Sequence, residues 1–357
     1  MSRREKEPLP AVVRLEASTL CQLNCRACDA WKDSCGTLGK GYLRFSDFRD
    51  FIRNNSYIKT IEMSNRGEIF LNPELTQIMK FAFENDIALY ANAGVNFNTI
   101  SDEVLEALVK YQFRSMVISI DGASQEVYSA YRVNGNFDTV IENIRKLNAN
   151  KRKHESRYPE LFWQYILMEH NEDDVVKAKE MAYGLQMKIY FKLTWEPGYI
   201  PGNVEMLRRE TGFENLSREE VLENEGRQYL SFICCNQLWT SPQINWDGRL
   251  LGCCVASWDD FGVNVFETGL EKAIRSKNFA YAKKMLKGEA PALENVGNLP
   301  CASCSKYEAM KRTGIYIDDI HSDFKSSCFG QLEQLSGTAF GGENGAINCR
   351  ESKDGKE

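Results

Sequence analysis

Three cysteines of this 357-residue chain, Cys21, Cys25 and Cys28, fall in the single run CQLNCRAC. Their spacing is C-x3-C-x2-C. Thiolates favour iron–sulfur clusters. Three close thiolates on one loop hold three irons of a [4Fe–4S] cube and leave the fourth iron without a protein ligand. An open coordination position is what a catalytic metal site keeps and a structural site closes. Zinc is the plainer alternative. It prefers four ligands, and nothing at a usual spacing supplies the fourth unless Cys35 does.

A second set lies far down the chain: Cys234, Cys235, Cys253, Cys254, and the C-x-x-C of Cys301 and Cys304. The segment INWDGRLLGCC reads as a hairpin with Asp247 and Gly248 at its turn. Such a hairpin brings Cys235 near Cys253, and the later C-x-x-C can close a four-thiolate site. Four thiolates suit a [4Fe–4S] cluster or structural zinc. A looser two-cluster arrangement would draw on Cys328. Twelve cysteines are many for a reducing compartment, where structural disulfides are rare. Their clustering points to metal ligation or redox chemistry. Cys35, Cys328 and Cys349 stand alone in the sequence.

The elements around these cysteines are regular. Strands are predicted at 11–17, 57–64, 88–94, 115–121, 161–167 and 188–195. Helices are predicted at 46–54 with Ser46 as N-cap, at 73–86 after Asn72 and Pro73, and at 101–111, 137–150 and 173–184. Six strands alternating with helices imply a parallel sheet with helices outside. The run is too short for an eight-unit barrel of about 250 residues. The expected fold is therefore α/β, a partial (βα)6 barrel followed by a small cysteine-rich hairpin and helix domain. Loops after the strands form the active site in such folds. Cys21, Cys25 and Cys28 fall in the first of them.

With these residues in view, the sequence resembles the radical S-adenosylmethionine (SAM) superfamily over residues 11–195. The family signature is C-x3-C-x2-C after the first strand. The second strand ends SNRGE, similar to the family's Gly-Gly-Glu motif. The resemblance implies that Arg66, Gly67 and Glu68 bind the methionine amino group through their backbone. The fourth strand ends SIDG, which implies Ser119 near the ribose and Asp121 close by. Asn92 stands where relatives have a Thr-Asn-Gly turn. The residue before the third cysteine is usually aromatic; here it is Ala27, and Trp31 is a candidate substitute. The second cysteine set, as C-x12-G-x4-C then C-x-x-C, resembles SPASM/Twitch extensions. That likeness favours Cys235, Cys253, Cys301 and Cys304 as ligands of one auxiliary [4Fe–4S] cluster. No further cysteine follows closely after Cys304, as a full SPASM module would require.

Composition bounds the rest. The formal net charge of −6 argues against an extended nucleic-acid surface. The N-terminus has no signal-peptide apolar run, and no stretch approaches the roughly 20 apolar residues of a membrane helix. A cytoplasmic protein without membrane or nucleic-acid partners is expected. The expected domains are 1–195 as the barrel core, 196–233 as an insertion, 234–325 as the auxiliary cluster domain and 326–357 as a flexible tail. The implied cofactors are the SAM-binding [4Fe–4S] cluster, the auxiliary [4Fe–4S] cluster and S-adenosyl-L-methionine. Reduction implies a reductase or flavodoxin-type electron donor.

The resemblance implies reductive cleavage of SAM and hydrogen abstraction from substrate. Maturases of ribosomal peptides often carry an N-terminal leader-binding domain, whereas here the first strand begins near residue 11. The expectation is an oxidoreductase acting on a small polar metabolite of sugar or aminocyclitol type, with a peptide maturase as the alternative. A non-enzymatic iron–sulfur protein is disfavoured by the strand-end motifs. Tyr131, Arg132, Trp195 and Glu196 are substrate-contact candidates by position alone.

Overall fold

A computed structural model of the chain describes residues 8–28, 38–225, 229, 235–291 and 298–317. Trp31, Cys35, Cys234, Cys328, Cys349 and the expected tail at 326–357 lie outside the described residues. Six strands run parallel and in sequential order: β1 (Val12–Leu15), β2 (Thr60–Glu62), β3 (Ala88–Val95), β4 (Ser115–Ser119), β5 (Glu160–Leu167) and β6 (Lys188–Leu193). Parallel neighbours require a crossover, and each one here contains helix. These are α1 (Phe45–Asn54), α2 (Leu75–Glu84), α3 (Asp102–Lys110), α4 (Gln125–Tyr131) with α5 (Phe137–Lys153), and α6 (Val175–Gly184). This is the α/β partial barrel the periodicity predicts.

The local differences have local causes. Ser46 does not cap α1; Arg44 holds that position without a side-chain bond. The Phe45 N–H instead donates to the Glu74 carboxylate, and the Phe45 ring packs edge-on against Phe81, 5.8 Å away. Helix α2 begins at Leu75, later than predicted. Asn72 lies just before it: its Oδ1 accepts from Glu74 N–H at 2.8 Å, while its amide nitrogen donates to Ala17 O and Leu43 O, each at 3.0 Å. Helix α4 was not evident in the sequence; Ser124 caps it by accepting from Val127 N–H at 3.3 Å.

Strand side chains alternate between two faces. Val13, Leu15, Ile61, Met63, Met116, Ile118, Trp163 and Tyr165 are buried in the apolar core shared with the helices. The intervening residues Arg14, Glu16, Glu62, Ser64, Ser119 and Gln164 are also buried, yet polar. Buried polar groups need partners. Glu62 accepts from Ser64 Oγ at 2.6 Å and from Asn92 N–H at 2.9 Å. Gln164 donates to Ser119 Oγ at 3.2 Å and accepts from Tyr190 OH at 2.9 Å.

The sheet continues past β1. Strand β7 (Gln243–Ile244) pairs parallel with β1, and β8 (Leu250–Gly252) pairs antiparallel with β7. The predicted hairpin is present, with Gly248 at φ +89 in its turn. A Cβ added there would lie 2.3 Å from Asn264 Oδ1, so the turn needs glycine. Helices α7 (Val204–Thr211) and α8 (Arg218–Glu225) precede the hairpin; α9 (Lys277–Leu286) and α10 (Ser305–Thr313) follow it.

Trp163 is fully buried and donates Nε1–H to Ile120 O at 2.6 Å, joining β5 to the end of β4. Trp163→Ala is expected to destabilise the fold by about 3–5 kcal/mol, read from the shift of the denaturant midpoint.

Candidate functional site

The chain leaves β1 and enters the first cysteine loop directly. Thr19 N–H donates to Gly41 O at 2.9 Å, and Leu43 N–H donates to Ala17 O at 3.0 Å, which fixes the exit. The loop backbone is tied to the end of α4 and the turn just after it: Arg26 N–H donates to Tyr131 O at 3.4 Å and Asn24 N–H to Val133 O at 3.0 Å. Cys28 N–H folds back onto Cys25 O at 3.1 Å. Cys21, Cys25 and Cys28 are all free thiols. Cys25 is buried and Cys28 half-buried. Cys21 is exposed as a residue, yet desolvation of its sulfur, with Glu68 adding repulsion, pushes its pKa up to about 11.

Two side chains address these sulfurs. Asn96 Nδ2 lies 3.6 Å from Cys21 Sγ, and Arg132 Nη1 lies 3.5 Å from Cys25 Sγ. Burial raises the Cys25 pKa, against the lowering effect of Arg132. Arg132 Nε also forms a buried ion pair with Asp121 Oδ2 at 2.6 Å. Burial alone would lower the Arg132 pKa, but Asp121 and Cys25 outweigh it and hold the guanidinium charged. Asp121 Oδ1 accepts from Ile166 N–H at 2.7 Å, so the pair is locked to β5.

The loop after β2 presses against the same region. A Cβ on Gly67 would lie 2.2 Å from Ser18 O, so only glycine permits this approach. Glu68 N–H donates to Leu20 O at 2.7 Å. The Arg66 and Gly67 N–H groups donate to Glu16 Oε1 at 3.1 and 3.5 Å. The Glu68 carboxylate accepts from Asn96 N–H at 2.6 Å and from Phe70 N–H at 3.3 Å. Burial raises both Glu16 and Glu68 to about 7 despite these bonds.

The structure separates the candidates. Arg66, Gly67 and Glu68 flank the cysteine loop, and Asp121 reaches it through Arg132. Ser119 lies on the polar face beside Gly94 and Gln164. The side chain of Asn92 is bonded instead to Ser115 Oγ at 2.7 Å. Asn96, which the sequence reading did not single out, stands at the cysteines. A register shift in β3 between Ala91 and Val95 separates the two asparagines, and no short motif reports it. Of the position-based candidates, Arg132 is at the thiols, while Trp195 is exposed with the Arg218 guanidinium 3.3 Å from its ring centre.

The second cysteine set is also gathered. Cys235 is raised well above its usual pKa by burial and by the neighbouring Cys253 and Cys304. Cys301 is raised by burial, then by Cys253, Cys235 and Cys304. Cys253 is pushed up to about 12 by burial, then by Cys254 and Cys304. Cys254 is engaged by Gln237, which accepts from its N–H at 2.7 Å and lies with Nε2 3.4 Å from Sγ. Among the described residues, no three His, Cys, Asp or Glu side chains converge tightly enough to hold one metal ion. Mutual repulsion between the thiols nevertheless places the four in one neighbourhood. Three thiols on one loop, and a second set of four with Cys235 buried and the others half-buried, match the donor chemistry of iron–sulfur centres.

No family model matches the chain. It is 26% identical over 145 residues to mycofactocin maturase MftC of Mycobacterium tuberculosis, covering 39% of this chain and 35% of that protein. It is 26% identical over 140 residues to the AdoMet-dependent heme synthase of Methanosarcina barkeri, covering 39% of each. The matches thus span little more than a third of these curated relatives. Among solved structures, it resembles Streptococcus suis SuiB bound to S-adenosylmethionine, with TM-score 0.59 and 14% identity over 84% of this chain and 72% of that one. In sequence the chain is similar to these radical SAM relatives, and in fold to SuiB. The partial barrel and the three cysteines at its first strand end are consistent with that similarity.

The two raised carboxylates give a pH signature. In the metal-free chain, unfolding would drop Glu16 and Glu68 from about 7 to the ordinary 4.5. Between those values the folded state holds protons that the unfolded state has released. Stability should therefore fall as pH rises from about 4.5 to 7 and level off above. Glu16→Gln should reduce that slope in denaturation curves taken across the window.

Proposed function

We propose that the chain cleaves S-adenosylmethionine reductively and uses the radical to modify a ribosomally made precursor peptide. The observation that carries the chemistry is the three-thiol loop at the end of β1, with Asn96 and Arg132 directed at two of its sulfurs. Cys21, Cys25 and Cys28 would hold the first cluster. When bound there, the cluster and cofactor supply a 5′-deoxyadenosyl radical able to take a hydrogen atom from substrate.

The chain's own groups would position that chemistry. Glu16 holds the Arg66–Gly67 backbone in place, and Gly67 allows it to approach the cysteine loop. Glu68 and Asn96 set the wall beside Cys21. The Asp121–Arg132 pair keeps a fixed positive charge at Cys25. Ser119 and Asp121 would serve the ribose side, as the family resemblance implies. Cys235, Cys253, Cys301 and Cys304 would hold an auxiliary cluster for electron transfer. Residues 1–195 would form the cofactor domain and 234–325 the auxiliary domain, joined through β7. A reductase or flavodoxin-type protein would supply electrons.

Two likenesses support a peptide substrate. SuiB has also been solved bound to its precursor peptide SuiA, with TM-score 0.58 and 13% identity over 84% of this chain and 71% of that one. The mycofactocin relative is named as a maturase. The small polar metabolite expected from the sequence stays as a second reading. It is favoured by the bonded polar row of Ser119, Gln164, Tyr190 and Lys192 across β4–β6.

Anaerobic reconstitution should give about eight irons per chain, as two cubes require. Replacing Cys21, Cys25 and Cys28 together by Ala should remove about half of them and abolish 5′-deoxyadenosine formation under dithionite. Cofactor cleavage at the original rate in that variant would overturn the chemistry. One zinc in place of the second cube would overturn the auxiliary assignment alone.

Substrate class can be read from label transfer. The reduced protein would be incubated with deuterated peptides encoded near its gene and with deuterated sugars and aminocyclitols. Deuterium in 5′-deoxyadenosine is expected from a peptide. Label from the metabolites alone would reverse the choice.

A further inference from the structure

One side chain of the loop after β2 reaches out of the barrel core. Arg66 Nη2 donates to Val255 O at 2.8 Å and Cys254 O at 3.3 Å. Beside it, Asn65 Nδ2 donates to Cys254 O at 3.2 Å. These carbonyls follow Cys253 immediately. The opposite end of Arg66 is equally constrained: its N–H is held by Glu16, and the next residue lies against Ser18 O. Cys254 is fixed from its other side by Gln237. A single residue therefore spans from the end of β1 to the segment bearing the second thiol set.

We infer that Arg66 is a positioning residue that couples occupancy of the second thiol site to S-adenosylmethionine binding at the first. The inference rests on the radical SAM reading proposed above. Its physical basis is a short rigid path. Ligation by Cys253 would fix the backbone at 254–255, whose two carbonyls both accept from Arg66 Nη2. Those bonds fix Arg66, and Arg66 fixes Gly67 and Glu68 beside Cys21. The far end of the path has little room to move, because Gly67 packs against Ser18 O and the Glu68 carboxylate accepts from Asn96 N–H. Coupling of this kind is reciprocal, so cofactor binding should also be felt at the second site.

The test is a double-mutant cycle on the reconstituted full chain. S-adenosylmethionine affinity would be measured by equilibrium dialysis in the wild type, Arg66→Ala, Cys301→Ala with Cys304→Ala, and all three changes together. Removing the second site should weaken binding about tenfold when Arg66 is present and little when it is replaced. In the wild type, adding S-adenosylmethionine should alter the electron paramagnetic resonance signal of the second cluster, and Arg66→Ala should abolish that response. Arg66→Lys should restore part of it, which a general loss of packing would not explain. If Arg66→Ala does not fold, Asn65→Ala removes a donor to Cys254 O without touching Glu16, and a smaller change of the same kind is expected. Additive effects in the cycle, or a second-cluster signal indifferent to cofactor in the wild type, would overturn the coupling alone. A wild type that assembles both clusters but binds no S-adenosylmethionine would overturn the radical SAM function and the coupling with it.

Discussion

Strand β1 is paired along both edges, to β2 through Val13 and Ile61 and to β7 through Arg14 and Gln243. Backbone pairing sets register, and a slip of one residue would turn every side chain to the opposite face. Arg14 reinforces the pairing from the buried polar face. Its Nε donates to Gln243 Oε1 at 3.0 Å, and Nη2 donates to Ser64 O at 3.3 Å. A buried guanidinium without such partners would be strongly destabilising. Because the chain passes from β1 straight into the cysteine loop, this arrangement sets that loop beside the one after β2, where Glu68 N–H donates to Leu20 O. The β2 and β7 strands are both positioned by the same short strand.

The polar inner face follows from the open barrel. A closed eight-unit barrel fills its interior with layers of branched apolar side chains. Here six strands carry Glu62, Ser64, Ser119 and Gln164 inward, and each is bonded to its neighbours. Such a network orients groups rigidly only while every member is satisfied. Glu16 and Glu68 are the carboxylates of this region that burial raises to about 7. Burial raises both toward neutrality even though backbone N–H groups favour the charged form.

The thiols face a related conflict. Burial favours the neutral form of Cys21, Cys25, Cys235, Cys253 and Cys301. Were these thiols to ligate a cluster as proposed, they would have to be thiolates, so loading would release protons. Arg132 offsets part of that conflict at Cys25 in advance. Hydrogen bonds to ligand sulfurs also help set cluster potential. The second set has Lys306 as a weaker counterpart near Cys235.

Much of this protein was legible from residue order. Alternating strands and helices gave the six-unit parallel sheet, since period 2 and period 3.6 are local properties of the chain. The C-x3-C-x2-C motif and Gly67 were visible because short spacing and a missing side chain act over a few residues. The hairpin turn was visible for the same reason. Contacts between distant segments were not legible. Pairing of β7 with β1, replacement of Ser46 by Glu74 at the start of α1, and the turning of Asn92 toward Ser115 depend on residues far apart in sequence. So do the approach of Asn96 and Arg132 to the thiols and the reach of Arg66 to Val255. The sequence by itself determined which groups could ligate and where strands would form. Only the tertiary structure decided which side chains meet, because those meetings are set by sheet register and packing across the barrel, which no local spacing encodes.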